Sequence, residues 1–294
     1  MVSFKDRVYG SIFGLVVGDA LGAPVEFKAR GSFDPIVDYI SCDQWNLPAG
    51  SWTDDTSMTL ALMDSITFSN GIDPKNQLQC YVDWYLHGFY SVNGKCFDIG
   101  DTTRLALDNF IHTNDIRSPY SDKAFSGNGS LMRHLPVPLF TFQFRDPRLM
   151  IRASDITSST THSSKPCCDS CYEFSEIIWH ILCGLSKTVS FNGNIPEFDE
   201  KNVISSGYVV DTLELAKWCF ITTNSFEECV LKAVNYGGDA DTLAAVSGAL
   251  AGCYYGFPSI PDRFLKGLAK PDYIMQYTDC FYEICSVRLK DESV

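Results

Sequence analysis

Trp52-Thr53-Asp54-Asp55-Thr56 sets two adjacent carboxylates between hydroxyls, and an apolar run follows at once through Met58, Leu60, Ala61, Leu62, Met63 and Ile66. Pro48 and Gly50 punctuate the loop before it. Thr or Asp at such a junction serves as an N-cap, so the spacing predicts a helix over 56–69 with the acids at its first turn. Taken alone, the cluster needs no function, because the helix dipole favours negative charge there. A distant stretch changes that reading. Gly237-Gly238-Asp239-Ala240-Asp241-Thr242 repeats the combination of paired acids and a hydroxyl, and it too opens an apolar helix, through Leu243, Val246 and Leu250.

Working outward, residues 4–18 read as a helix with Phe4, Val8, Ile12, Leu15 and Val16 near one face. Gly10, Gly14 and Gly18 recur in it every fourth residue, and Gly248, Gly252 and Gly256 repeat the stripe late in the chain. A glycine inside a helix costs about 1 kcal/mol relative to alanine. Both helices are therefore expected to pass close to another backbone, each other's being one candidate. Further helical patterns cover 75–90, the segment through Leu105, Leu107 and Phe110, 147–162, a stretch running to 187, 208–222, 225–236 and 241–255, with one or two more in 262–288. Residues 28–50 and 189–206 read as polar, turn-rich loops. Period-2 alternation is nearly absent. The expected fold is all-α, a compact multi-helix orthogonal bundle spanning residues 1–294 as one domain.

The chain has 294 residues, 45% of them hydrophobic, which suffices for a substantial core. A net charge of −13 argues against a nucleic-acid role, and any phosphate bound needs local help from cations or helix N-termini. No apolar run is expected to reach the roughly 18 residues that span a bilayer. Many of the twelve cysteines, among them Cys183, Cys219, Cys229, Cys253 and Cys285, fall in apolar helical runs, and Met1-Val2-Ser3-Phe4-Lys5-Asp6-Arg7 carries no apolar signal. Buried thiols in a reducing, cytoplasmic setting are expected rather than disulfides.

Other polar residues stand in informative company. Glu26 closes the Gly/Pro-punctuated segment Gly18-Asp19-Ala20-Leu21-Gly22-Ala23-Pro24-Val25-Glu26, although a single loop Glu is ordinarily just solvated. Asp98 stands between Phe97 and Ile99, an odd place for a solvated acid. Ser126-Gly127-Asn128-Gly129-Ser130-Leu131-Met132-Arg133 is a glycine-rich turn expected to feed a helix, with N–H groups that suit a phosphate; no Gly-Lys-Ser/Thr follows, so it is not a Walker loop. Cys168-Asp169-Ser170-Cys171 has a Cys-x-x-Cys spacing, but a second pair at finger-like spacing is missing and core thiols are the better reading.

Carboxylates and hydroxyls are hard ligands suited to Mg²⁺ or Mn²⁺. Several carboxylates drawn together repel unless cations offset them. The two acidic clusters can therefore form opposite walls of a two-metal site. A phosphatase with Asp239-x-Asp241-Thr242 as its acid pair is disfavoured, because that motif normally follows a buried strand and here follows a helical pattern.

Taken in order, Gly18-Asp19-Ala20-x-Gly22-x-Pro24-x-Glu26, Thr53-Asp54-Asp55-Thr56, Asp98-Ile99-Gly100, Gly127-Asn128-Gly129-Ser130-x-Met132-Arg133, Thr161-His162, Gly207-Tyr208-Val209-Val210-Asp211-Thr212-Leu213 and Gly237-Gly238-Asp239-x-Asp241-Thr242 resemble the ADP-ribosylglycohydrolases of the dinitrogenase-reductase-activating type, over residues 5–258. The resemblance implies an all-α hydrolase with a binuclear Mg²⁺ or Mn²⁺ centre at helix N-termini. It implies that Thr53, Asp54 and Asp55 bind metal from one side and Asp239, Asp241 and Thr242 from the other. It further implies Glu26 near the substrate ribose, Asp98 as the acid beside the scissile bond, Asn128, Gly129 and Ser130 on the distal part of ADP-ribose, His162 near the phosphates and Tyr208 on the adenine. The expected activity is hydrolysis of the bond between ADP-ribose and a modified arginine. Alternatives are a serine-linked or small-molecule conjugate, or an ADP-ribose binder without turnover. An ADP-ribosylated protein or small conjugate is the expected partner, with no nucleic acid or membrane, and the chain is expected to be a monomer.

Overall fold

Local sequence rules start the elements, and the glycine stripes decide how two of them cross. The computed structural model describes residues 2–192, 198 and 205–291. Its helices are α1 Phe4–Gly22, α2 Asp54–Ser69, α3 Pro74–His87, α4 Asp101–Thr113, α5 Pro136–Thr141, α6 Pro147–Ser159, α7 Lys165–Leu182, α8 Lys187–Ser190, α9 Val209–Ile221, α10 Phe226–Val234, α11 Ala240–Tyr255, α12 Asp262–Gly267, α13 Pro271–Cys285 and α14 Val287–Asp291. Among the described residues there is no strand, and the isolated bridges Cys42–Leu47 and Gly127–Tyr208 are the β-type pairings. The fold is all-α, as expected.

Ser3 starts α1, its hydroxyl accepting from the Asp6 N–H. From Val8 to Gly22 the helix is buried on every side. A helix apolar all round belongs in a core, and α1 packs there against α11. The sequence expectation that no apolar run is long enough to span a bilayer needs correction. Phe4–Val25, with mean hydropathy 1.5, meets that criterion by length and composition, but its apolar part from Val8 to Val25 lies wholly buried in the fold.

The glycine stripes of α1 and α11 face each other. A Cβ added at Gly10 would strike the Gly252 carbonyl, one at Gly14 the Gly248 carbonyl, one at Gly18 the Ala244 carbonyl, and one at Gly22 the backbone of Asp241. The pairs run in opposite order, so the helices are antiparallel and in backbone contact. The Gly256 backbone also lies against Gly10 at the end of this seam, but its own Cβ position points away from α1's glycines. It ends α11 at φ 83° and faces the Val2 side chain.

Other boundaries moved. The turn at 126–133 does not open a long helix; it is a 3₁₀ turn at Asn128–Ser130, and α5 begins only at Pro136. The tail forms three helices rather than one or two. Of the polar loop read at 189–206, residues 193–197 and 199–204 lie outside the described residues. All twelve cysteines are free thiols; Cys183 and Cys280 are exposed, which corrects the expectation that Cys183 is buried.

Candidate active site

Three chain segments converge where α1 ends. The antiparallel crossing lays the last turn of α1 beside the first turn of α11. Asp19, fully buried in that last turn, reaches sideways to α2. It accepts from the Thr53 N–H at 2.9 Å, the Thr53 hydroxyl at 2.9 Å, the Thr56 N–H at 3.0 Å and the Thr56 hydroxyl at 2.6 Å. The N-cap position of α2 is Thr53, as expected, yet the capping oxygens come from α1. Asp54 and Asp55 are thereby released from capping.

The two acidic clusters then touch. The Thr53 hydroxyl faces Asp241 Oδ2 at 3.4 Å, and the Thr242 hydroxyl donates to Asp55 Oδ1 at 3.3 Å. Gly237 and Gly238, both in left-handed conformation, turn the chain into Asp239. Gly238 exchanges backbone hydrogen bonds with Phe27 and Lys28, which ties the Glu26 segment to the same turn. Asn128 Nδ2 donates to Asp239 Oδ2 at 2.8 Å and to the Thr212 hydroxyl at 3.0 Å.

A cleft of about 420 Å³ opens over this cluster, lined at its acidic floor by Glu26, Asp54, Asp55, Asp98, Asp239 and Asp241. Carboxylate oxygens of Glu26, Asp98 and Asp241 all lie within 4.8 Å of one another. The electrostatics are severe, for among the described residues no lysine or arginine lines the cleft. Burial, reinforced by the charges of Asp98 and Asp239, pushes Glu26 up to about 9. Burial pushes Asp98 up to about 7, while a proton shared with Glu26 holds it back. Burial and the neighbouring carboxylates hold Asp54, Asp55 and Asp241 well above the usual carboxylate range. Asp19 rises only to about 6, because its hydrogen bonds oppose the burial.

Four buried carboxylate oxygens in this cluster lack a hydrogen-bond partner: Glu26 Oε2, Asp55 Oδ2, Asp98 Oδ2 and Asp241 Oδ1. Orphaned buried acceptors of one charge around one point are costly without a cation. Hard oxygen donors of this kind fit Mg²⁺ or Mn²⁺. The acidic cluster can thus hold metal.

Gly127, Asn128, Gly129 and His162 also line the cleft, Asn128 in direct contact with Asp239. Burial and the Arg133 charge lower His162 to about 3, so its ring is neutral at pH 7. The Thr161 hydroxyl lies 2.8 Å from His162 Nδ1 and accepts from Arg133 Nη2 at 2.6 Å. Its own hydrogen is free for Nδ1, an arrangement that leaves Nε2–H as a donor on the Gly127–Gly129 side. Arg133, fully buried, also donates to the Gly129 carbonyl at 2.7 Å and lies 4.5 Å over the Tyr81 ring. It braces both the glycine turn and His162 from behind.

The structure gathers most of the sequence-singled residues into this cleft. Glu26, Asp54, Asp55, Asp98, Asn128, Gly129, His162, Asp239, Asp241 and Thr242 line it; Thr53, Ser130 and Tyr208 do not. Thr53 is buried behind Asp241. The Ser130 hydroxyl points into the core, accepting from Ser158 at 2.9 Å and from the Cys171 thiol at 3.5 Å. Tyr208 is half-buried at the N-cap of α9, bridged to Gly127. Asp19 and Arg133 were visible only as motif letters, since no spacing rule shows that one caps a helix 34 residues on and the other supports a turn. Asp98 adopts φ 61°, a left-handed strain of the kind that collects at functional sites.

Comparison with known proteins points one way. A family pattern described as ADP-ribosylglycohydrolase matches residues 1–291. The chain is 34% identical over 284 residues to the ADP-ribosylarginine hydrolase Tri1 of Serratia proteamaculans (strain 568), covering 92% of this chain and 77% of that protein. It is 30% identical over 282 residues to the ADP-ribosyl-[dinitrogen reductase] glycohydrolase of Rhodospirillum rubrum, covering 90% and 91%. A solved structure described as an ADP-ribosylglycohydrolase-related protein complex superposes with a TM-score of 0.83 at 32% identity, over 96% of this chain and 99% of that one.

Proposed function

The chain belongs to the ADP-ribosylglycohydrolase family, and from that premise we propose that it hydrolyses the N-glycosidic bond joining ADP-ribose to an arginine side chain of a modified protein. The observation that carries the reading is the set of partnerless, buried carboxylate oxygens on Glu26, Asp55, Asp98 and Asp241. The arginine choice is supported by the names of the relatives from Serratia and Rhodospirillum.

In this reading Asp54 and Asp55 from α2, and Asp239, Asp241 and Thr242 from α11, hold two Mg²⁺ or Mn²⁺ ions, with Thr53 behind them. When bound, such ions offset the carboxylate charge and act as Lewis acids toward ribose hydroxyls and water. The rest is done by the chain. Asp98, whose Oδ2 has no partner within the fold, takes a proton from the attacking water as its oxygen bonds to the anomeric carbon. The C–N bond breaks, and the guanidino nitrogen leaves with a proton supplied from the Glu26–Asp98 pair. Negative charge beside the ring stabilises the oxocarbenium-like transition state. The Gly127 and Gly129 N–H groups and His162 Nε2–H suit the pyrophosphate, while Asn128 spends its amide on Asp239 and its backbone N–H on the Gly207 carbonyl. Tyr208, on the adenine, belongs to the same reading. The free thiols support the cytoplasmic setting.

Release of free ADP-ribose from matched arginine-linked and serine-linked peptides, each with Mg²⁺, Mn²⁺ or chelator, tests this. Metal-dependent release from the arginine peptide is expected. Preference for the serine peptide would overturn the arginine choice, and binding without release from either would favour the non-catalytic alternative. Asp98→Asn should keep ADP-ribose binding and lose hydrolysis; unchanged turnover would remove Asp98 from its role.

A further inference from the structure

Glu26 and Asp98 bring their chain neighbours with them to the mouth of the cleft. Phe27 lines the mouth beside Glu26, and Ile99, Gly100 and Asp101 line it beside Asp98. Phe27 is 69% exposed, although a ring of that size ordinarily seeks the core. Its backbone sits at φ 61°, in the left-handed region that a bulky side chain disfavours by about 1–2 kcal/mol. Its N–H donates to the Gly238 carbonyl at 2.7 Å, on the turn that leads into Asp239. The strained residue is thus anchored by its backbone to the acidic centre while its ring stays uncovered at the entrance. Strain held at such a place points to use of the side chain.

The chemistry of the mouth selects what covers that ring. The lip carries Asp101, whose side chain is 87% exposed and pairs only at the surface with Arg104 at 2.9 Å. The floor just inside carries the Glu26–Asp98 pair. An aromatic face beside exposed and buried carboxyls attracts a cation, and a planar guanidinium stacks on it best. The anionic diphosphate cannot be that group. It is drawn to the part of the lining where Gly127, Gly129 and His162 offer donors. The cation at the mouth is therefore the group on the far side of the scissile bond.

We propose that Phe27 is a specificity-determining residue, its ring packing on the guanidinium and aliphatic stem of the arginine that carries ADP-ribose. The inference rests on the arginine reading above, and it assigns the acceptor side of the cleft to residues 27 and 101.

The test compares wild type with Phe27→Ala, Phe27→Leu and Phe27→Trp in the metal-loaded full chain. The readouts are kcat and KM on the arginine-linked peptide and inhibition by free ADP-ribose, which lacks the acceptor. Phe27→Ala should raise KM for the peptide about fivefold to thirtyfold with little change in kcat. Inhibition by ADP-ribose should stay within about twofold. Phe27→Trp should restore KM, and Phe27→Leu, with bulk but no aromatic face, should not. Unchanged KM in Phe27→Ala, an equal loss of ADP-ribose inhibition, or rescue by Leu but not Trp would each overturn the inference while leaving the functional reading standing. A wild-type enzyme that cleaves only the serine-linked peptide would fell the functional reading, and this inference with it.

Discussion

Asp19 and Asp55 are equally buried and meet opposite fates. Asp19 accepts hydrogen bonds from two backbone N–H groups and two hydroxyls, so its charge is distributed and structural. Asp55 keeps one oxygen without a partner, and that oxygen faces other carboxylates. Sequence alone cannot separate them, since each is an acid beside small or hydroxylated residues in a family motif. The difference shows in a pH response. Glu26 and Asp98 have folded-state values raised to about 9 and about 7, above those of the unfolded chain. The folded protein therefore binds more protons than the unfolded one between pH 4 and those values, and its stability falls as pH rises through them. With chelator present, Tm should decline from pH 5 to pH 9. Mg²⁺ should reduce that decline, because cation binding displaces the protons. Calorimetry in buffers of different ionisation enthalpy should register proton release on Mg²⁺ binding at pH 7, and none would argue against these carboxyls as the site. At the same scale, Asn128 and Ser130 show that neighbouring motif letters part ways, Asn128 lining the cleft and Ser130 not. Both belong to the glycine-rich stretch, but one amide holds Asp239 and one hydroxyl lies in the core.

The α1–α11 crossing is the element that places everything else. Gly10, Gly14, Gly18 and Gly22 let backbone meet backbone, and only that approach brings the α11 first turn level with Asp19. The two stripes were legible in the sequence, since three glycines at a spacing of four have no local justification. Each stripe was one candidate partner for the other, and the structure pairs them; the antiparallel direction and the register were not legible, because spacing carries no information about either. Gly14→Ala should lower unfolding stability by about 2–3 kcal/mol by overpacking the seam against Gly248. Gly71→Ala, where an added Cβ meets nothing closer than 3.7 Å, should be neutral or slightly stabilising. Urea titration of both variants checks this; equal effects would mean that the seam is not tight. Helix starts were read better than helix ends. Prolines and capping side chains announce α3 and α6, whereas α6 and α7 stop earlier than their apolar patterns suggest.

At the scale of the whole molecule, the site is a place where the fold works against its own stability. A chain of net charge −13 gathers carboxylates in a buried cluster, with no lysine or arginine lining the cleft among the described residues. Asp55→Asn, which keeps the oxygen that accepts from Thr242, should raise Tm in chelator by removing one buried charge and should abolish the further rise on adding Mg²⁺. A lower Tm in chelator would show that the charges are not in conflict. The sequence by itself determined the helical class, through apolar periodicity without alternation, and it singled out most of the acids that gather in the cleft, because acids and hydroxyls at helix starts are local patterns. Tertiary structure alone decided which of those residues face one another. Thr53 meets Asp241 and Thr242 meets Asp55 across nearly two hundred residues, through a helix crossing whose geometry no local pattern encodes. Only the tertiary structure, likewise, turned Ser130 inward and left Phe27 uncovered at the mouth, because burial belongs to the packed assembly of helices rather than to any residue in its own segment.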